Sequence, residues 1–179
     1  TTVVLCGIVA QGILGNYQYF GSSSANLNIF PHGWLLILVI AVGGGALGGL
    51  FSLALIYLSK LMQSLLQKHR MLTVGGLGLA VALIGFLSHG LTYGSGYEAA
   101  KAIIMHQSNV QVGLDYGPLK LLATLLTYLS GIPGGIFAPS LSAGAGFGQL
   151  FAHFFDPSFA DAAILLCTIA YFSGVVQSP

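Results

Sequence analysis

The apolar positions of this chain form long runs separated by short polar segments. Residues 1–15 predict a first helix, which a Ser- and Asn-rich loop follows as far as about Pro31. The run from about Gly33 to Lys60, with a polar extension through Gln67, exceeds the ~20 helical residues that cross a hydrocarbon core. Another apolar run extends from Met71 to Leu91. The pattern therefore predicts membrane-spanning helices.

The remaining apolar runs are shorter and uneven. The segment from about Gly96 to His106 is too brief to cross a membrane, and we expect it to be re-entrant or interfacial. Further helices are predicted over three segments: Tyr116 to Ser130, Phe137 to about Phe155, and Asp161 to Phe172, the last ending near Gly174. Interrupted helices of unequal length are typical of transporters and channels. The predicted fold class is an all-α integral membrane bundle.

Composition supports the membrane interpretation. Hydrophobic residues make up 55% of the chain and charged residues only 5%, whereas soluble domains carry about 25% charged residues. A net charge of +1 without a basic stripe gives no reason to expect nucleic acid as a partner. Lys60, Lys68, His69 and Arg70 cluster between the two long apolar runs, and positive charge in short loops favours the cytoplasmic side.

Two further features bear on packing and chemistry. Cys6 and Cys167 lie in apolar runs without metal-ligand spacing, so we expect buried thiols and no metal site. Glycines recur four residues apart, a pattern that lets helix backbones approach closely, in the pairs Gly44 and Gly48, Gly45 and Gly49, and Gly144 and Gly148. We interpret these glycines as packing positions. The chain starts in an apolar run without Met and stops at Ser178-Pro179, so we expect it to be an internal piece of a longer protein.

The segment Ser130-Gly131-Ile132-Pro133-Gly134-Gly135-Ile136-Phe137-Ala138-Pro139-Ser140 breaks an apolar helix and starts a new one. Gly131 can adopt the left-handed conformation that ends a helix, and Pro133 prevents continuation. Gly134 and Gly135 allow close approach to their backbone, while Pro139 fits the first turn of the next helix. Non-helical backbone at membrane depth is tolerated only in protein or beside a watery cavity. Such a break predicts a binding site.

The second helix of this motif begins near Phe137, and its first amides lack intrahelical acceptors. The helix dipole adds about half a positive charge there, so an anion would satisfy both demands. No Lys or Arg lies between Leu121 and Pro179, which suits an anion that must also leave. The Phe137 ring could add its positive edge and a constriction. The alternative is a helix start capped by water or by a neighbouring chain.

The Gly134-Gly135-Ile136-Phe137-Ala138-Pro139 motif, with its flanking residues, resembles the GxFxP-type chloride-filter signature of the CLC family of chloride channels and proton-coupled chloride exchangers. The segment from Gly94 to Glu98 resembles a glycine-rich turn of that family, and Val175 to Pro179 resembles the approach to its next helix. The family often has a basic residue where Gln177 stands.

The resemblance implies an inverted-repeat bundle of tilted, broken and re-entrant helices, in a homodimer whose subunits each have an anion pathway. Residues 1–179 would form the middle-to-late part of one transmembrane domain, truncated at both ends. It also implies that the amides of Ile136 and Phe137 bind chloride, with Gly134, Gly135, Ala138 and Pro139 shaping the filter loop. The resemblance implies chloride as the transported ligand, and we expect no cofactor. The expected location is multi-pass in membrane lipid, the plasma or inner membrane in a prokaryote.

Proton-coupled exchange is the favoured mode, and a passive chloride channel is the alternative. The family's gating glutamate motif, serine filter motif, late tyrosine ligand and internal proton-transfer glutamate have no counterparts in this sequence. The acidic residues occupy predicted loops or helix starts, where capping is the expected role: Glu98, Asp115, Asp156 and Asp161. None is assigned to a proton relay.

Two rival functions remain open from the sequence. An intramembrane hydrolase would use Ser95 as nucleophile with His89 or His106 as base, since a serine nucleophile needs a base within hydrogen-bond reach. We expect no enzymatic activity, because Gly94-Ser95-Gly96 is an ordinary turn composition. A structural subunit without a pathway of its own would bind no anion near Phe137.

Overall fold

The computed structural model describes residues 2–15, 33–106, 110–154 and 159–177. Seven α-helices and no strands occur in these residues. The helices are α1 (Thr2–Leu14), α2 (Gly33–Lys68), α3 (Arg70–Leu87), α4 (Tyr97–Ile104), α5 (Tyr116–Leu129), α6 (Phe137–Ala152) and α7 (Ala160–Val176). The all-α prediction is therefore confirmed. The predicted loop from Asn16 to about Pro31 lies outside the described residues.

Among the described residues, two helices have the length and apolar composition to cross a membrane: α2, over Ile37–Lys68, and α3, over Arg70–Leu87. At 1.5 Å per residue, the 18 residues of α3 extend about 27 Å, close to the ~30 Å of a hydrocarbon core. Large apolar side chains of α3 are exposed, Leu72 by 76% and Phe86 by 79%. A helix with this apolar outer surface is suited to lipid contact.

Helix α7 packs between α2 and α6 through small residues. A Cβ on Gly48 of α2 would collide with the Tyr171 carbonyl oxygen of α7, and a Cβ on Gly148 of α6 would overlap the Ile164 backbone. Gly44 and Gly144 also face α7, against Cys167 and Thr168. The interpretation of these glycines as packing positions is confirmed, except that a Cβ on Gly49 would meet nothing within 4 Å.

Helices α5 and α6 cross where two glycines meet. A Cβ on Gly117 would overlap the backbone at Gly146 and Phe147, and a Cβ on Gly146 would overlap Gly117 in return. Since neither position has room for a side chain, the two backbones lie in direct contact. This crossing fixes the relative placement of the two helices that residues 130–136 connect.

The turn before α4 is tied to the α5–α6 pair by buried polar groups. The hydroxyls of Tyr116 and Ser142 lie 2.5 Å apart, and the Ser142 hydroxyl donates to the Gly96 carbonyl at 2.9 Å. Gly96 itself has φ +77, in the left-handed region that favours glycine. The short α4, too brief to span as predicted, is thereby anchored against the core.

Several predicted boundaries differ from the observed ones. Helix α3 ends at Leu87 rather than Leu91, because residues 88–96 turn back toward α5. Helix α7 runs through Gly174 to Val176 instead of ending near that glycine, since Gly174 packs against Gly45 of α2. The prediction of two buried thiols is wrong for Cys6, which is exposed, while Cys167 is buried. An apolar neighbourhood in the sequence fits lipid-facing and buried positions equally.

Candidate functional site

Helix α5 ends as the glycine predicts. Gly131 adopts φ +74, and its N–H donates to the Tyr128 carbonyl at 3.1 Å. The Ser130 N–H donates to the carbonyls of Leu126 and Thr127, so the last turn of α5 is closed by local hydrogen bonds. The chain is then free to leave the helix axis at Ile132.

The filter loop, residues 131–136, is held to α5 by two side chains. The Tyr128 hydroxyl donates to the Gly134 carbonyl at 2.8 Å, and the Ser130 hydroxyl accepts the Ile132 N–H at 3.4 Å. Gly134 and Gly135 are exposed, and a Cβ on either would meet no atom within 4 Å. The loop is therefore anchored at its start and along its course, while the backbone around both glycines stays open to approach.

Helix α6 begins at Phe137, with Ile136 as its N-cap and no capping side chain. Its first helical bond runs from the Ser140 N–H to the Ile136 carbonyl at 3.1 Å. Among the described residues, no acceptor receives the N–H groups of Ile136, Phe137 and Ala138. Pro139 carries no N–H and fits this first turn. The helix start therefore presents three unsatisfied donors together with the positive end of the dipole.

The Phe137 ring is 59% exposed at this helix start. Its partner is Phe172 of α7, with ring centroids 4.7 Å apart and planes at 73°, an edge contact of the kind aromatic pairs favour. The side chain is thus held in place by α7 without being buried. It can line a passage next to the free amides.

The structure adds a residue that sequence reasoning missed. Lys120 of α5 is only 2% exposed, and its ammonium donates to the carbonyls of Thr92 and Gly94, both at 2.8 Å. It lies one position before the cation-free segment noted in the sequence, and the fold brings it to a cavity that the filter loop also lines. The signal was available, because an ionisable residue within an apolar membrane helix is by default a functional candidate.

The hydrolase constellation is not assembled. The Ser95 hydroxyl accepts the Tyr97 N–H at 3.4 Å, and neither His89 nor His106 forms a hydrogen bond with it. His106 instead pairs with Asp161, with Nε2 and Oδ1 2.5 Å apart. In the described parts of the chain, no group of three His, Cys, Asp or Glu side chains is arranged to hold a metal ion.

The three acidic residues that the structure describes lie at helix starts, but the capping role expected from the sequence is wrong for the one that is an N-cap residue. Glu98 lies in the first turn of α4 and Asp161 in that of α7, where a negative charge suits the helix dipole. Asp115 is the N-cap of α5, although its side chain makes no capping hydrogen bond. Asp156 lies outside the described residues.

Comparison with known proteins identifies the family. Residues 1–179 match the family described as "Voltage gated chloride channel", and the chain belongs to it. It is 29% identical over 167 residues to "H(+)/Cl(-) exchange transporter ClcA" of Yersinia pestis bv. Antiqua (strain Angola), covering 85% of this chain and 34% of that protein. It is 33% identical over 92 residues to "Voltage-gated ClC-type chloride channel ClcB" of Citrobacter koseri, covering 50% of this chain and 22% of that protein. No solved structure matches the chain significantly.

These relatives support the resemblance stated from the filter motif. The chain spans about a third of the length of the ClcA relative. The names of both relatives describe transport or conduction of chloride rather than catalysis, which agrees with the expectation that the protein is not an enzyme. Two membrane-capable helices and the family together make it a membrane protein.

Proposed function

We propose that this protein moves chloride across a membrane, with the anion bound by the backbone N–H groups of Ile136 and Phe137. The observation that carries the proposal is the start of α6, where these N–H groups have no acceptor among the described residues. Partial charges on amides can stabilise an anion and still release it, which rapid passage requires.

The other residues of the filter loop and of the first turn of α6 support binding without supplying the ligands. Gly134 and Gly135 leave open space for the ion to approach, and Ala138 and Pro139 form the first turn that orients the amides. The Phe137 ring stands beside them and narrows the passage.

Replacing Ile136 with proline tests the site directly. Ile136 has φ −87, near the range of proline, and its N–H makes no hydrogen bond within the described residues, so Ile136→Pro removes one donor while the fold keeps its bonds. Chloride affinity, measured by titration calorimetry on the purified whole protein, should fall about tenfold or more. Ile136→Val keeps the amide and is the matched control.

An unchanged affinity in a folded Ile136→Pro variant would contradict this assignment. An absence of chloride binding in the unmodified protein would favour the structural subunit instead.

We further propose proton-coupled exchange as the mode of transport. Support comes from the relative named as an H(+)/Cl(-) exchange transporter, which aligns with 85% of this chain. A passive channel is the second candidate, favoured by the relative named as a voltage-gated chloride channel. Simultaneous recording of chloride and proton flux from liposomes, under a chloride gradient and no pH difference, separates the two. Uphill proton movement indicates exchange, and chloride flux without protons indicates a channel.

The assembly is also part of the proposal. Residues 1–179 would belong to one multi-pass transmembrane domain of an inverted-repeat fold. The described side chains of α1 are exposed and, apart from Gln11, apolar, among them Val4, Ile8 and Ile13, which suits the dimer interface that the family resemblance implies.

A further inference from the structure

A cavity of about 230 Å³ lies between α5, the turn before α4 and the filter loop. Its lining includes Lys120, Thr124, Tyr128, Gly134, Gly135 and Pro139. Neither Ile136 nor Phe137 lines it, although Gly135 and Pro139 on either side of them do, so the cavity adjoins the start of α6 without including those two residues. A water occupies about 30 Å³ in the liquid, so the cavity has room for a small ion and several waters.

The positive charge of Lys120 has no counter-charge in the described residues. The cavity lining contains no Asp or Glu, and the ion pair found within the described residues joins His106 to Asp161 elsewhere. Two carbonyl oxygens accept hydrogen bonds from the ammonium, and its third N–H has no partner within the part of the chain that the structure describes. A buried charge is expected to be paired, because taking an unpaired one out of water is costly.

Other groups in the cavity also favour an anion. The hydroxyls of Thr124 and Tyr128 both donate to carbonyl oxygens, of Lys120 and Gly134 respectively. The N–H groups of Gly134 and Gly135 have no acceptor among the described residues. The donors still available among the lining residues therefore include one ammonium N–H and the two loop amides, and an acceptor with negative charge complements them.

We propose that the cavity is a second anion position, in which a small monovalent anion pairs with the Lys120 ammonium beside the filter loop. This inference extends the proposed function. It rests on that function in one respect, namely that the ligand of the cavity is taken to be the transported anion. The site itself stands on the buried lysine, the cavity and the open amides. Two carbonyl partners offset part of the lysine's charge, so an anion there is held less tightly than by a bare ammonium.

Bromide, which scatters anomalously, is the probe for this site in crystals of the whole protein. We expect two peaks, one at the amides of Ile136 and Phe137 and one in the cavity within hydrogen-bond distance of Lys120 Nζ. Lys120→Met should abolish the cavity peak and leave the other. Lys120→Arg, which keeps the charge, should retain both. Lys101 lies over the Tyr97 ring away from the cavity, so Lys101→Met is the matched control and should also retain both.

The outcomes separate the two proposals. A peak at the α6 start with none in the cavity of the unmodified protein would overturn the second position and leave the proposed function standing. A cavity peak with none at the α6 start would overturn the proposed anion site at Ile136 and Phe137 and leave the second position standing. Persistence of the cavity peak in Lys120→Met would show that the lysine only anchors the turn at Thr92 and Gly94. Because the first comparison uses the unmodified protein, the test does not depend on any variant folding.

Discussion

Single hydrogen bonds shape the filter loop more than buried apolar contacts do. The loop glycines are exposed, and the Tyr128 hydroxyl holds the Gly134 carbonyl from the end of α5. A hydrogen bond of this kind contributes about 1 kcal/mol, enough to bias a short loop toward one conformation. The amides at Ile136 and Phe137 are therefore oriented from one side by the helix and from the other by a tyrosine.

Replacing Tyr128 with phenylalanine removes this hydrogen bond and little else. We expect Tyr128→Phe to weaken chloride binding about fivefold, as the loop samples more conformations, with no loss of folded protein. Titration calorimetry beside Tyr57→Phe, an exposed tyrosine of α2, gives the comparison. Equal affinities in the two variants would show that the loop needs no support from α5.

For single residues, the filter loop could be predicted from the sequence, whereas the role of Lys120 could not. Glycine and proline have known backbone preferences, so Gly131 and the two prolines of the motif were enough to predict where α5 ends and where α6 begins. The role of Lys120 depends on where residues 88–96 turn back, and no local pattern encodes that turn. The exposure of Cys6 was mispredicted for a related reason, because hydropathy does not separate lipid-facing from buried positions.

Among the helices, the contact of α2 with α7 is the one most sensitive to added volume. Gly48 faces the Tyr171 carbonyl, whereas Gly49, its neighbour in the same helix, faces open space. Helix propensity alone would make alanine more favourable than glycine at either position by about 0.5–1 kcal/mol. Any difference in stability between the two alanine variants therefore reports how closely α2 packs against α7 at each position.

We expect Gly48→Ala to lower the thermal unfolding midpoint of the detergent-solubilised protein by several degrees. A Cβ at this position forces α2 away from α7, and overpacking costs about 1–3 kcal/mol. Gly49→Ala should leave the midpoint unchanged or slightly higher. Equal shifts for the two variants, read by fluorescence-detected size-exclusion chromatography after heating, would contradict the observed packing.

The number, type and approximate bounds of the helices could be predicted from apolar run lengths. Their ends could not, because packing decides them. Gly174 would end a helix on local preference, yet α7 continues through it where it meets Gly45. The four-residue glycine spacing indicated close packing, but only the fold shows which helix each glycine contacts.

For the whole molecule, α2 and α3 are separated by a single residue, His69, with Lys68 and Arg70 on either side of it. If this segment is cytoplasmic, as its positive charge predicts, the loop after α3 lies on the opposite side. In a background in which serine replaces the exposed Cys6, Lys68→Cys should react with a membrane-impermeant maleimide only from the cytoplasmic face.

Ser95→Cys, placed in the exposed loop after α3, is the matched position and should react only from the other face. Labelling of both cysteines from the same side would show that α3 does not cross.

The central claim is that chloride passes through this protein by way of the amides at the start of α6. The most direct test is chloride efflux from liposomes containing the whole protein, with ionophores that let potassium and protons move freely. We predict rapid efflux for the unmodified protein and for Ile136→Val, and efflux about tenfold slower or more for Ile136→Pro. No efflux from the unmodified protein, or equal rates for the two variants, would contradict the account.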